Sequence, residues 1–132
     1  DKYKIIVVPS YRTPDHIVKK AFNTFSHNHL VFKDIDKNAY LSSLSLSDLI
    51  VVTCDSISMI SEAAVTGKPI YVANMLPIKS NTRFKNFYSQ FKKLGIIRDL
   101  DDTIDLWSYN QLNEADRISP IIKEKMKLNG II

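Results

Sequence analysis

A polar turn and the helical segment after it, residues 55–66, hold the side chains best suited to chemistry. Four polar residues in this segment are separated by three or four positions, which places them on one face of a helix. They are Asp55, Ser58, Glu62 and Thr66. The residues just before them, 49–53, are apolar and mostly β-branched, as in a buried strand. A polar helix face that begins where a buried strand ends is typical of ligand sites in α/β proteins.

The start of this helix has the chemistry of an anion site. The backbone N–H groups of Ser56, Ile57 and Ser58 would be free to hold the phosphates of a nucleotide. The carboxylate of Glu62 could then accept two charge-assisted hydrogen bonds from a ribose diol. In the structural alternative, Asp55 or Ser56 only caps the helix and Glu62 is a solvated surface residue. The pattern alone favours neither interpretation.

A second polar turn, at residues 9–14, follows the first apolar run of the chain. Arg12 is suited to a bidentate contact with a phosphate, and the hydroxyls of Ser10 and Thr13 could add further contacts. The structural alternative, which the residues alone favour, makes Thr13 a helix cap and Arg12 a surface charge. All three glycines lie elsewhere, so the Gly-x-Gly-x-x-Gly fingerprint is absent. This absence argues against an enzyme that uses NAD or FAD.

Metal binding and nucleophilic catalysis find less support. Asp34 and Asp36 form an Asp-x-Asp pair that can hold a divalent cation, but a strand end followed by a helix cap is the favoured interpretation. The three histidines lack metal-ligand spacing with one another or with the single cysteine. Cys54 has no adjacent histidine to activate it and suits a tight turn. We therefore predict no metal site.

Around these residues the hydrophobic pattern alternates between strand and helix. Apolar runs predict strands at residues 3–8, 30–32, 49–53, 70–73 and 96–97. Helical spacing predicts helices at residues 14–25, 38–47, 57–66, 82–94 and 113–128. Such alternation implies a parallel sheet with right-handed crossovers. The predicted fold class is α/β, a Rossmann-like three-layer α/β/α domain whose strand ends take a nucleotide or a nucleotide-sugar.

Capping residues set the expected boundaries. Thr13 is the expected N-cap of the first helix. Gly67 is expected to end the third helix in a left-handed conformation, and Gly95 is expected to end the fourth helix. A loop containing Pro77 is expected before the fourth helix, and a break at Pro120 in the last one.

The bulk composition limits the classes of function. The chain has 132 residues and 45% hydrophobic content, enough for one domain with a core. A net charge of +4 suits phosphorylated ligands or a loose hold on an anionic membrane, while the lack of a basic motif run argues against nucleic acid. A single cysteine, and no signal peptide or long apolar span, predict a cytoplasmic protein, with peripheral association at the inner face of the membrane left open.

Short blocks of residues, in order along nearly the whole chain, carry a family resemblance. They include Arg12-Thr13-Pro14, Asn38-Ala39-Tyr40, Ser47-Asp48, Asp55-Ser56-Ile57-Ser58-Met59, Ser61-Glu62-Ala63, Gly67-Lys68-Pro69, Arg83-Phe84, Trp107-Ser108-Tyr109 and Leu112-Asn113-Glu114. With these blocks the chain resembles the C-terminal half of the mitochondrial-fission "elongated mitochondria" family, as a bacterial member.

The resemblance implies a fold and a ligand. The family looks like a GT-B glycosyltransferase, in which two Rossmann-like halves face each other and the C-terminal half binds the nucleotide-sugar donor. Residues 1–132 would then be one nucleotide-sugar-binding domain, excised from a longer protein and separated from an N-terminal partner domain. The resemblance implies that Ser56 to Ser58 hold the diphosphate. Together with the candidates drawn from the residues themselves, the predicted ligand residues are Ser10, Arg12, Thr13, Asp55, Ser56, Ile57, Ser58 and Glu62. By analogy with the N-acetylglucosaminyltransferase of peptidoglycan synthesis, Glu62 would hold the ribose.

The resemblance does not assign a catalytic residue to this part of the protein. Inverting GT-B enzymes commonly take their catalytic base from the N-terminal half, so no catalytic residue is assigned to this chain. A nucleotide-diphosphate sugar would be its substrate, and no cofactor is implied. Plant relatives act as adaptors that recruit a division dynamin, and the alternative function is therefore a non-catalytic interaction scaffold.

Overall fold

The computed structural model describes residues 2–74, 82–101 and 103–132. Strands and helices alternate along the chain. They are β1 (Ile6–Val7), α1 (Asp15–Phe25), β2 (Leu30–Val31), α2 (Lys37–Leu46), β3 (Ile50–Thr53), α3 (Ile57–Ala64), β4 (Ile70–Ala73), α4 (Thr82–Lys93), β5 (Ile97–Asp99) and α5 (Glu114–Leu128). The described strand pairs are all parallel, which confirms the Rossmann-like α/β class. The loop expected at Pro77 lies outside the described residues.

The chain divides into two compact units, Asp1–Ser47 and Asp48–Ile132. In the first unit β1 and β2 pair in parallel, with Ile6 opposite Leu30, and are accompanied by α1 and α2. In the second unit a three-stranded parallel sheet has the order β3-β4-β5 and is accompanied by α3, α4 and α5. A single domain over residues 1–132 stays a prediction.

The helices of the first unit begin in different ways. Pro14 occupies the N-cap position of α1 and no side chain caps this helix, so the prediction of Thr13 as N-cap is wrong. The Thr13 hydroxyl instead accepts the backbone N–H of Ser10 at 2.9 Å and closes the preceding turn. Asp36 caps α2, because its carboxylate accepts two backbone N–H groups of the first turn at 2.8 and 3.1 Å. The interpretation of Asp36 as a cap is confirmed.

The core of the second unit is built on its central strand. Ile70, Tyr71 and Val72 of β4 are each at most 2% exposed, since β4 has a neighbouring strand on both sides. From α3 the apolar residues Ile60, Ala63 and Ala64 are fully buried. Each large side chain buried in this way contributes about 1.5–3 kcal/mol to folding. The fold therefore fixes α3 and the strand ends beside it.

Aromatic side chains hold the connector between β5 and α5. The Tyr71 hydroxyl donates to the Asp105 carbonyl at 3.1 Å and accepts the Asp105 N–H at 2.7 Å. Trp107 packs edge-on against the Tyr71 ring, with 5.1 Å between ring centroids, and its indole N–H donates to the Gly95 carbonyl at 2.7 Å. Arg98 stacks over the Trp107 ring at 4.2 Å. The connector is thus anchored to the core.

The last helix is continuous. The predicted break at Pro120 is wrong, because α5 runs through this residue from Glu114 to Leu128. A proline inside a helix leaves the carbonyl four residues earlier, that of Asp116, without its usual donor. Asp116 and Pro120 are both exposed, so water can satisfy this carbonyl. None of the helices in the described parts of the chain has the length and apolar character needed to cross a membrane.

Candidate functional site

The polar turn before α3 lies at the carboxyl edge of the three-stranded sheet. Thr53 at the end of β3 stands opposite Ala73 at the end of β4. The Cys54 N–H donates to the Ala73 carbonyl at 3.1 Å, which continues the pairing one residue past β3. In open α/β folds, ligands bind outside this edge of the sheet. The turn is therefore placed where a ligand crevice is expected.

Backbone N–H groups at the start of α3 are available to an anion. Ser56 is the N-cap, and its own N–H already donates to the Thr53 carbonyl at 3.2 Å. The next three residues, Ile57, Ser58 and Met59, have no intrahelical acceptor for their N–H groups, by the geometry of an α-helix. Among the residues that the structure describes, no side chain caps α3. Within that part of the chain, the free donors at the start of α3 are thus those of Ile57, Ser58 and Met59.

This set of donors is one residue later than the sequence indicated. The backbone N–H of Ser56 was expected to face the phosphates, and it is instead used inside the turn. Met59 was missed, because the pattern did not fix whether Asp55 or Ser56 is the cap. In an α-helix the N–H groups of the N-cap and of the next three residues have no intrahelical acceptor, and this rule would have found Met59 once Ser56 was known to be the cap. Ligand contacts of Ser56 stay a prediction.

The polar face of α3 is shorter than expected. Ser58 and Glu62 lie one turn apart on the exposed side of the helix, away from its buried apolar residues. Asp55 precedes the helix, and Thr66 follows it and donates its hydroxyl to the Ala63 carbonyl at 2.7 Å. Because the Glu62 carboxylate is exposed, a ligand hydroxyl would replace a water. Each such exchange stabilises a complex by only about 0.5–1.5 kcal/mol.

Tyr88 of α4 holds the turn that precedes α3 by a hydrogen bond. Its hydroxyl donates to the Cys54 carbonyl. Burial, together with the smaller effect of the negative charge that Cys54 and Asp55 can carry, raises the pKa of Tyr88 to about 12. The phenol therefore stays protonated and keeps donating at neutral pH. The half-buried Asp55 beside it places a carboxylate near the start of α3, where the helix dipole favours it and where it would oppose a second anion.

The turn of the first unit is closed by its own side chains. The hydroxyls of Ser10 and Thr13 lie 3.3 Å apart, and the Arg12 N–H donates to the Ser10 hydroxyl at 3.3 Å. Tyr11 is 90% exposed at the tip of this turn, and Arg12 is exposed beside it. The structure thus brings Ser10 and Thr13 together in a hydrogen-bonded turn. Phosphate binding by these residues stays a prediction.

Other reactive groups are not assembled into a site within the described residues. No cluster of three or more His, Cys, Asp or Glu side chains that could hold a metal ion occurs there. Cys54 is 1% exposed in its turn, which confirms the interpretation of a small residue in a tight turn.

A parallel sheet with free helix N–H groups beside its carboxyl edge is the mark of Rossmann-like α/β proteins. This is the class that the fold defines. A model of the family described as Mitochondrial fission ELM1 matches residues 1–126. The chain belongs to this family, and the resemblance drawn from the sequence is confirmed in that respect.

Two relatives show the extent of the similarity. The chain is 31% identical over 126 residues to the mitochondrial fission protein ELM1 of Arabidopsis thaliana, with 92% of this chain and 29% of the relative covered. It is 36% identical over 128 residues to an uncharacterised protein of Rickettsia prowazekii (strain Madrid E), with 91% of this chain and 36% of the relative covered. The chain thus spans about a third of the length of these relatives. No solved structure matches it significantly.

Proposed function

We propose that this chain is the nucleotide-sugar-binding half of a GT-B-type glycosyltransferase. One observation carries the proposal: the N–H groups of Ile57, Ser58 and Met59 have no side-chain cap from any described residue and lie beside the carboxyl edge of a parallel sheet. Such a group of donors matches a diphosphate, because the helix dipole adds to the hydrogen bonds. Glu62, one turn after Ser58 on the same face, is the group proposed to accept the ribose hydroxyls.

The geometry predicts weak binding by this chain alone. A hydrogen bond from a backbone N–H to a charged oxygen contributes about 1.5–3 kcal/mol, and the exposed Glu62 adds about 1 kcal/mol. Asp55 opposes part of this attraction by like charge. A net free energy of about 4 kcal/mol corresponds to a dissociation constant on the order of 1 mM.

Glycosyl transfer would require a second domain. The proposed role of this chain is to hold the donor, and a partner domain would supply the acceptor site and the catalytic base. Orienting two substrates accounts for a large share of such a rate enhancement, so we expect no transfer activity from these 132 residues alone.

NMR titration of the 132-residue chain with UDP, GDP and their sugars tests the proposal. We expect shifts of the Ile57, Ser58 and Met59 amides, and about fivefold weaker binding after Glu62→Ala, as about 1 kcal/mol requires. Glu124→Ala is the matched control, because it removes the same charge from an exposed position of α5. The proposal fails if these amides do not respond, or if both variants bind like the original chain.

A non-catalytic interaction scaffold is the second candidate function. The Arabidopsis relative is named as a mitochondrial fission protein, and α5 of this chain exposes apolar side chains. Ile121 and Ile122 are 48% and 51% exposed, and Leu128 is 79% exposed. A scaffold would keep its partner after Glu62→Ala and lose it after Ile121→Ser with Ile122→Ser. That result, together with no response to nucleotides, would favour this second function.

A further inference from the structure

A groove of about 560 Å³ lies between α4 and the ends of β4 and β5, and the functions considered above leave it unused. It is lined by Lys85, Ser89, Lys92 and Lys93 of α4, by Asn74 after β4 and by Asp99 at the end of β5. The four α4 residues recur at spacings of four, three and one, so they occupy one side of the helix.

The groove carries an excess of positive charge. Helix α4 has four basic residues and no acidic one. The Lys92 ammonium pairs with the Asp99 carboxylate at 2.5 Å, and the Asn74 amide donates to the same carboxylate at 3.3 Å. Within the described parts of the chain, no ion pair involves Lys85 or Lys93. Asp99 is thus neutralised inside the groove, while two ammonium groups remain for an incoming anion.

Helix stability does not account for this arrangement. Lysines in the last turn complement the negative end of the helix dipole, which explains Lys92 and Lys93. Lys85 lies in the first turn of α4, where a cation is disfavoured by the same dipole. A bound anion would remove this cost.

We propose that this groove binds the phosphate group of a phosphate monoester, held by Lys85 and Lys93. The Ser89 hydroxyl is a further donor at the same wall. Tyr88 also lines the groove, and because its hydroxyl is bonded to the Cys54 carbonyl, its ring forms a fixed surface for the body of the ligand. The groove is open to solvent, and its volume exceeds that of bare phosphate, so the body of an ester can lie along it. The site shares no residue with the start of α3.

The test is an NMR titration of the 132-residue chain with glycerol phosphate at constant ionic strength. We expect shifts at the Lys85, Ser89 and Lys93 amides and at least fivefold weaker binding after Lys85→Gln with Lys93→Gln. The control variant, Lys19→Gln with Lys20→Gln, removes two exposed lysines from α1 and should bind like the original chain. Circular dichroism before and after each change checks that the fold is kept.

Free phosphate esters and anionic lipid head groups present the same chemistry, so vesicles form a second arm. Flotation with phosphatidate vesicles and with neutral phosphatidylcholine vesicles separates the two sources. Lysine-dependent binding of glycerol phosphate alone supports a soluble ligand, and lysine-dependent binding of phosphatidate vesicles supports a lipid. Equal weakening in the Lys19 and Lys20 control, or no binding in either arm, would overturn the inference. Shifts confined to the start of α3 would overturn it as well, while leaving the nucleotide proposal standing.

Discussion

Replacing Tyr88 by phenylalanine should loosen the turn that precedes α3. It should also reduce the decrease in the free energy of unfolding at high pH. The substitution removes one oxygen and leaves the ring in place. What it takes away is the hydrogen bond from the Tyr88 hydroxyl to the Cys54 carbonyl, which joins α4 to the end of β3. The effect should therefore be confined to this link.

The size of the effect differs between neutral and alkaline pH. A hydrogen bond to a backbone carbonyl contributes about 0.5–1.5 kcal/mol, and its loss sets the effect at neutral pH. Burial disfavours the ionised phenolate and is the main reason that the pKa of Tyr88 is raised from 10.0 to about 12, which corresponds formally to about 2.7 kcal/mol of stability lost at high pH. Because the side chain is only half-buried, solvent screening reduces this alkaline loss to about 1 kcal/mol. We expect Tyr88→Phe to lower the free energy of unfolding by about 1 kcal/mol at neutral pH.

The sign of the pH dependence follows from the direction of the pKa change. Since the folded state holds the phenol proton more tightly than the unfolded state, the stabilisation is complete below pH 10. It is lost as the pH rises through about 12. In Tyr88→Phe this component of the alkaline loss should be absent, so the difference from the original chain should shrink between pH 10 and pH 12.

Urea denaturation at pH 8, 10 and 11 measures this difference. Tyr11→Phe is the matched control, because Tyr11 is 90% exposed and its variant should unfold like the original chain. Comparison of the two variants cancels the titration of lysines in this pH range. A Tyr88→Phe curve that coincides with that of Tyr11→Phe at every pH would refute the reasoning.

Two further substitutions test the fold around the site. Tyr71→Phe should lower the free energy of unfolding by about 1–3 kcal/mol, because it leaves both backbone groups of Asp105 without their partner, and urea denaturation measures this loss. An unchanged midpoint would contradict this role. Asp36→Ala should lower the unfolding free energy by about 1 kcal/mol through loss of the α2 cap, whereas Asp34→Ala should not. Thermal unfolding followed by circular dichroism compares the pair, and equal melting temperatures would count against the cap.

Elements were predictable from the sequence where burial fixes them. The strand at residues 70–73 has the predicted bounds, because it is central and apolar along its whole length. The first strand was expected over residues 3–8 and is paired only at Ile6–Val7, because its partner β2 is itself only two residues long. The length of a strand depends on its partner, and local residue types do not contain that information.

Helix caps and breaks were harder to predict from the sequence than the helices themselves. Thr13 and Pro14 both suit the beginning of α1, and the hydrogen bond from the Ser10 N–H to the Thr13 hydroxyl decides between them. A local side-chain bond of this kind competes with capping and is invisible in the order of residues. The continuity of α5 through Pro120 likewise depends on exposure, which supplies water to the carbonyl that proline leaves free.

Prediction of the site likewise depended on helical periodicity and on local hydrogen bonds in the turns. Periodicity correctly placed Ser58 and Glu62 on one exposed face of α3, since this needs only the helical repeat. It could not show that the Ser56 N–H is used by the Thr53 carbonyl, because that bond forms when β3 ends and the chain turns.

The groove between α4 and the ends of β4 and β5 could not be predicted from sequence patterns. Lys85 and Lys93 are on one helix, but Asn74 and Asp99 join them only because β4 and β5 are neighbours in the sheet. Pairing of Asp99 with Lys92 then decides which charges remain for a ligand. The helix alone would indicate a basic surface; the strand order turns that surface into a concave site with a defined charge. The proposed preference for an anion therefore depends on the order of the strands at this edge of the sheet. There Asp99 is paired with Lys92, and the ammonium groups of Lys85 and Lys93 remain for a ligand.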